Sequence, residues 1–105
     1  MHGELGPGFH EQIYQEALAI EFTRQAVPFQ RESELDIFYK DIRLNKKYCA
    51  DFVCFDKIIL ELKATEHLLN EHMGQVLNYL KASRFRLGLL VNFGEKSLHF
   101  KRIIT

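Results

Sequence analysis

Two short runs constrain what this chain can fold into: Ala50-Asp51-Phe52-Val53-Cys54-Phe55 and Ile58-Ile59-Leu60-Glu61-Leu62-Lys63. Both are rich in β-branched and aromatic residues, and the polar pair Asp56-Lys57 separates them, so they read as a β-hairpin. Each run nevertheless carries charge inside an apolar stretch: Asp51 in the first, Glu61 and Lys63 in the second. Charged side chains seldom enter an apolar interior unless they are paired or hold an ion. Strand residues alternate between faces, so Glu61 and Lys63 share one. Two carboxylates and a lysine at one sheet edge suit an oxygen-preferring divalent cation. Such an ion activates a bound water and neutralises charge on a phosphate. A lysine beside it can position or deprotonate that water. The D-x9-E-x-K spacing fits equally well a surface ion pair of Asp51 or Glu61 with Lys63.

The hairpin register decides between these readings. A two-residue Asp56-Lys57 loop would pair residues whose numbers sum to 113 and set Asp51 opposite Leu62. A shared site needs an even sum, such as 112 or 114. The sequence therefore predicts a three- or five-residue connection, or a β-bulge, between these strands.

Around the hairpin, Gly6-Pro7-Gly8 marks a turn. Phe9, Ile13, Ala17 and Ile20 then recur at helical spacing, with Tyr14, Leu18 and Phe22 beside them, predicting a helix from about Phe9 to Gln25, ended before Pro28. Phe29 to Tyr39 reads as extended, Lys40-Asp41 as a turn, and Ile42 to Leu44 as extended again. A second helix is expected from about Glu66 to Ser83, with Leu69, Met73, Val76, Leu77 and Leu80 as its apolar stripe. A second stripe, Leu68, His72, Gln75 and Tyr79, either faces the acidic site or forms a polar outer face. Glu11, in the first turn of the first helix, is either a further ligand, an orienting partner for Lys63, or a favourable charge on the helix dipole. Leu87 to Asn92 is wholly apolar until its last residue, as a strand covered on both faces would be. After a turn at Gly94-Glu95-Lys96, Ser97 to Ile104 reads as the last strand. The order α-β-β-β-α-β-β predicts a mixed sheet flanked by helices, an α+β arrangement.

The 105 residues suffice for one domain, 1–105, and the nine Phe and four Tyr supply a core without disulfide staples. Cys49 and Cys54 match neither a C-x-x-C motif nor a disulfide framework and read as reduced structural thiols. No apolar run is long enough to span a membrane, and no secretory signal opens the chain, so a cytoplasmic location is expected. The five histidines show no zinc-ligand spacing, and there is no glycine-rich phosphate loop or G-x-S-x-G elbow. Net charge is zero but unevenly spread: residues 1–36 carry seven acids and two bases, and residues 81–105 one acid and six bases. Lys81, Arg84, Arg86, Lys96, Lys101 and Arg102 form either a phosphate-facing patch or a solvated rim.

Several of these segments, in order, match a known pattern. Gly8-Phe9-His10-Glu11-Gln12-Ile13-Tyr14 has the form G-x-x-E-x-x-Y, preceded by Glu4-Leu5-Gly6-Pro7 and followed by Glu16-Ala17-Leu18. Tyr48 to Val53, Ile59 to Ala64, Gln75 to Leu80, Leu87 to Gly94 and Lys101 to Ile104 complete the set. Together they resemble the GxxExxY protein family, a bacterial and archaeal group within the PD-(D/E)XK nuclease-like superfamily. The resemblance implies a restriction-endonuclease-like αβββαβ core. It also implies Mg²⁺ (or Mn²⁺) held by Asp51, Glu61 and the Leu62 backbone carbonyl. Lys63 would be the catalytic lysine, Gln75 and Tyr79 would match a Q-x-x-x-Y helix, and Glu11 the acid of the first helix. The activity so implied is Mg²⁺-dependent phosphodiester hydrolysis in nucleic acid, DNA before RNA. The alternative is a non-catalytic module that binds nucleic acid or protein. Ala50 stands where the superfamily signature has proline. Family members begin with a longer helix before this first motif, and its loss would expose apolar surface and favour a homodimer.

Overall fold

A computed structural model describes residues 1–105. Its elements are α1 (His2–Leu5), α2 (Glu11–Arg24), β1 (Phe29–Tyr39), β2 (Ile42–Cys54), β3 (Ile58–Lys63), α3 (Asn70–Ser83), β4 (Leu87–Asn92) and β5 (His99–Ile104). The strands form one sheet in the order β1-β2-β3-β4-β5. The β1–β2, β2–β3 and β4–β5 pairs are antiparallel, and α3 provides the crossover that makes β3–β4 parallel. This is the expected mixed-sheet α+β fold, with a restriction-endonuclease-like core. No helix is long and apolar enough to cross a membrane.

Each face of the sheet is sealed by its own cluster. Val53, Ile59 and Leu90 pack with Val76, Tyr79 and Leu80 of α3 on one side. Phe52, Cys54, Leu60 and Leu62 pack with Tyr14 and Phe93 on the other, flanked by Leu18, Ala19 and Phe22 of α2. The β4 strand feeds both clusters, Leu90 into the first and Leu89 and Val91 against the second, as its apolar sequence predicts. Both cysteines are free, Cys54 buried and Cys49 exposed.

The structure decides one open choice and moves several expected boundaries. Of the two apolar rows, Ile13 and Ile20 of α2 face outward, with Phe9 ahead of the helix, and the buried face is Tyr14, Leu18 and Phe22. Both rows are apolar and helical in spacing, so only the docked sheet selects between them. The second helix starts at Asn70, four residues later than expected. Before it, the backbone of Thr65 is pinned by Asn92 and its hydroxyl donates to the His67 carbonyl, which holds this stretch out of the helix. Ile42 to Cys54 is one continuous strand rather than two extended pieces. A short helix, α1, precedes the Gly6-Pro7-Gly8 turn, and the last strand begins at His99.

The G-x-x-E-x-x-Y tyrosine is structural. Tyr14 is fully buried, stacks on Phe93 with centroids 4.6 Å apart, donates its hydroxyl proton to the Gly6 carbonyl and accepts the Phe9 N–H at 3.3 Å. It thereby ties the glycine-rich turn to the head of α2. Gly6 and Gly8 have φ of 69° and 113° in that turn, a region other residues enter at a cost.

Candidate functional site

The β2–β3 hairpin has the even register that a shared site requires. Phe52 pairs with Leu60, Val53 with Ile59 and Cys54 with Ile58, each sum being 112. Three residues, Phe55-Asp56-Lys57, make the connection, with Phe55 and Asp56 at φ 55° and 58°. Past Phe52 and Leu60 the backbone ladder stops, and side chains take over its hydrogen bonds. The Asp51 N–H donates to Glu61 Oε1 at 2.6 Å, and the Leu62 N–H donates to Asp51 Oδ2 at 2.8 Å. The two carboxylates are thus locked reciprocally in the gap where the strands part.

The partner strand is distorted at the same level. Ser33 pairs with Ala50 and Arg31 with Phe52, but Glu32, opposite Asp51, is unpaired and has φ 51°. Ala50 and Val53 both enter the α3-side cluster although strand alternation alone would send them to opposite faces. The alternation therefore slips at Asp51, an irregularity of the kind that re-aims a side chain.

Burial sets the electrostatics. Glu61 is only 4% exposed. Its carboxyl is pushed up to about 8 by burial and then by the negative charge of Asp51; the Asp51 N–H and the Lys63 ammonium oppose the shift, and Glu11 adds a smaller upward push. The half-buried Asp51 is also raised by burial, against the hydrogen bonds from Leu62 and Gln15 and the charge of Lys63. Two desolvated carboxyl groups side by side favour either a shared proton or a cation.

Lys63 lies near enough to act on both carboxyls but joins no ion pair, the chain's three being Lys47 with Glu34 and Asp36, and His99 with Glu95. The simple Lys63 surface ion pair is therefore not what the fold builds. Neighbouring residues of a strand point their backbone groups to opposite edges. The Lys63 carbonyl accepts from Phe93 N–H beside β4, and the Leu62 N–H points at Asp51, so the Leu62 carbonyl looks into the same gap as the carboxylates. Two carboxylates and a carbonyl form the all-oxygen donor set that Mg²⁺ and Mn²⁺ favour. No third His, Cys, Asp or Glu side chain joins them in a ready-made cage.

A family model of the PD-(D/E)XK nuclease superfamily matches residues 1–103. The chain belongs to this superfamily. Among solved structures, the crystal structure of SSO0001 superposes with a TM-score of 0.71 at 20% identity, over 89% of this chain and 48% of that one. The chain thus spans about half the length of that relative, and the likeness speaks for the fold. No curated protein matches.

The other residues expected near the site lie as follows. Tyr79 is buried on α3, and its phenol is pushed up to about 12 by burial and the charges of Glu61 and Asp51, so it neighbours the acidic pair. Gln75 donates from Nε2 to the Tyr79 hydroxyl at 3.1 Å, and its Oε1 is buried without a partner. Glu11 opens α2, exposed, with its charge reaching Glu61 but without a hydrogen bond to Lys63. His72 does not join this stripe at the site. Its Nδ1 accepts the Leu69 N–H at 3.0 Å and caps its own helix, while Leu68 lies before the helix begins. The basic C-terminal residues are spread over the surface: Lys81 lines a pocket with Gln75 and Tyr79, and Lys101 lines another with His67 and Glu95. Arg84 and Arg86 gather with Lys57 around Ile58 and Leu87, at the far ends of β3 and β4.

Sequence reasoning missed Gln15. It is buried on α2, donates from Nε2 to Asp51 Oδ1 at 3.1 Å, and accepts from Arg31 Nε at 2.7 Å. A signal was present: Gln15 is four residues after Glu11, hence on the same helix face.

Proposed function

We propose that this chain is a divalent-cation-dependent nuclease that hydrolyses phosphodiester bonds in nucleic acid, with residues 1–105 acting as one domain. The observation that carries the reading is the reciprocal lock of Asp51 and Glu61 between β2 and β3, with Glu61 4% exposed and raised to about 8. A buried carboxyl beside a half-buried one costs folding stability, and perturbed acids of this kind cluster at functional sites. Asp51, Glu61 and the Leu62 carbonyl would hold Mg²⁺ or Mn²⁺, which when bound activates water and offsets phosphate charge. Lys63, on the same face as Glu61 and unpaired, would orient the attacking water or take its proton. Gln75 offers a buried, unpartnered Oε1 beside Tyr79 to the same water or to the lysine, and Glu11 orients from α2. The ordered motifs support placement in the GxxExxY branch, and DNA is the first substrate to assay.

The decisive experiment is cleavage of labelled DNA by purified protein with Mg²⁺ or Mn²⁺, wild type against Glu61→Gln. The expected result is cleavage only by wild type and only with metal. Equal cleavage by both proteins, at equal folded fraction, refutes the assignment. A second reading is a binding module that keeps the fold without the chemistry. It is favoured by the chain's zero net charge, which gives little general attraction for a polyanion. Titration calorimetry with Mg²⁺ and Mn²⁺ separates the two, because the binding module takes up neither.

A further inference from the structure

We infer that Arg31 is a phosphate-binding residue of this same site, and that Gln15 couples it to Asp51 as a positioning residue. The inference rests on the nuclease reading above for its location and goes beyond it in naming where the nucleic-acid backbone is held. The Arg31 side chain is exposed and, being opposite Phe52, projects on the α2 side of the sheet. Only its Nε is engaged, donating to Gln15 Oε1 at 2.7 Å. It enters none of the chain's three ion pairs, although Glu32 and Glu34 follow it on β1. The two terminal guanidinium nitrogens remain to grip two oxygens of one phosphate, the fork geometry in which arginine surpasses lysine.

The Gln15 amide has only one workable orientation. Arg31 can only donate, so the Gln15 oxygen must face it and the Gln15 NH₂ must face Asp51. Asp51 Oδ1 therefore receives Gln15 while Oδ2 receives the Leu62 N–H, and the carboxylate cannot rotate. This is the outer-shell support that metal-ligating carboxylates commonly need. A second observation falls at the same place. Glu32, next to Arg31 and across from Asp51, is held at φ 51°, a strained conformation for a glutamate. The distortion sits between the arginine and the acid, where a regular strand would keep them one alternation apart. Two other arginines, Arg84 and Arg86, lie at the other end of the sheet.

The test measures binding of a short fluorescein-labelled DNA duplex by anisotropy across a KCl series, and Mn²⁺ affinity by calorimetry. The proteins are wild type, Arg31→Ala, Arg31→Lys and Gln15→Met, compared at equal folded fraction. Arg31→Ala should weaken duplex binding and lower the slope of log affinity against log salt by about 0.9, the loss of one phosphate contact. Arg31→Lys should restore the slope but not the full affinity. Gln15→Met should weaken Mn²⁺ binding by roughly 10- to 100-fold, whereas Arg31→Ala should leave it within a few-fold of wild type. If wild type cleaves DNA, Arg31→Ala should raise KM more than it lowers kcat. An unchanged salt slope in Arg31→Ala overturns the phosphate assignment. Unchanged Mn²⁺ affinity in Gln15→Met overturns the positioning role. Wild type that binds Mn²⁺ but no duplex overturns the Arg31 assignment alone, and the acidic site stands. Wild type that binds duplex through Arg31 but no metal overturns the nuclease reading alone.

Discussion

Replacing Glu61 by glutamine should make this protein more stable, and increasingly so as pH rises. The Glu61 carboxyl is 4% exposed, and its pKa moves from 4.5 to about 8 on folding. That shift of about 3.5 units, at about 1.4 kcal/mol each, is on the order of 5 kcal/mol. The sign follows from proton uptake. Between pH 4.5 and 8 the folded state keeps a proton that the unfolded state releases, so stability is full below about 4.5 and is lost as pH climbs to 8. Asp51, also raised, acts in the same direction, and the two acids share the effect. Glutamine cannot ionise, yet it keeps the oxygen that accepts the Asp51 N–H at 2.6 Å. Urea denaturation without metal should therefore find wild type and Glu61→Gln within about 1 kcal/mol of each other at pH near 4.5. Near pH 8.5 the variant should be ahead by about 4 kcal/mol, or roughly 15–30 °C in Tm. Mn²⁺ should close the gap by stabilising wild type alone. A wild type whose stability is flat over this range, or a variant weaker than wild type at pH 8.5, would show that Glu61 is not held as a buried, proton-retaining acid.

Three further outcomes test the packing that holds the site. Tyr14→Phe removes the hydroxyl that bridges Gly6 and the Phe9 N–H; it should cost about 1–2 kcal/mol, with faster hydrogen exchange at Phe9 as the local readout. Gly88→Ala adds a methyl that meets Val76 Cγ1 at 2.5 Å, so it should cost about 1–3 kcal/mol by thermal melting, and Val76→Ala in the same chain should recover part of the loss. Asn92→Leu deletes the buried amide that joins Thr65, Gly94 and Glu95. It should cost about 3 kcal/mol or more in chemical denaturation and weaken Mn²⁺ binding, because Asn92 pairs with Lys63 and pins the chain just beyond it. An Asn92→Leu protein with unchanged Mn²⁺ affinity would confine that residue to folding.

The sequence by itself determined where most of the strands run, the crossover helix and the demand for an even hairpin register. It did so because strand parity is a local rule: once Asp51 and Glu61 lie in adjacent apolar strands, only certain connections put them together, and Phe55-Asp56-Lys57 is one of them. It also marked Glu61 and Lys63 as a pair, since residues two apart share a face wherever the strand ends up. Tertiary structure alone decided which apolar row of α2 is buried, because Ile13 and Tyr14 both sit in helical rows and differ only in what the sheet offers them. It decided that Gln15 and Arg31 support Asp51, a chain of contacts that joins residues 15, 31 and 51 and has no local periodicity to betray it. It decided, too, that Glu32 yields its strand geometry at that level, since backbone strain of this kind persists only where surrounding contacts impose it.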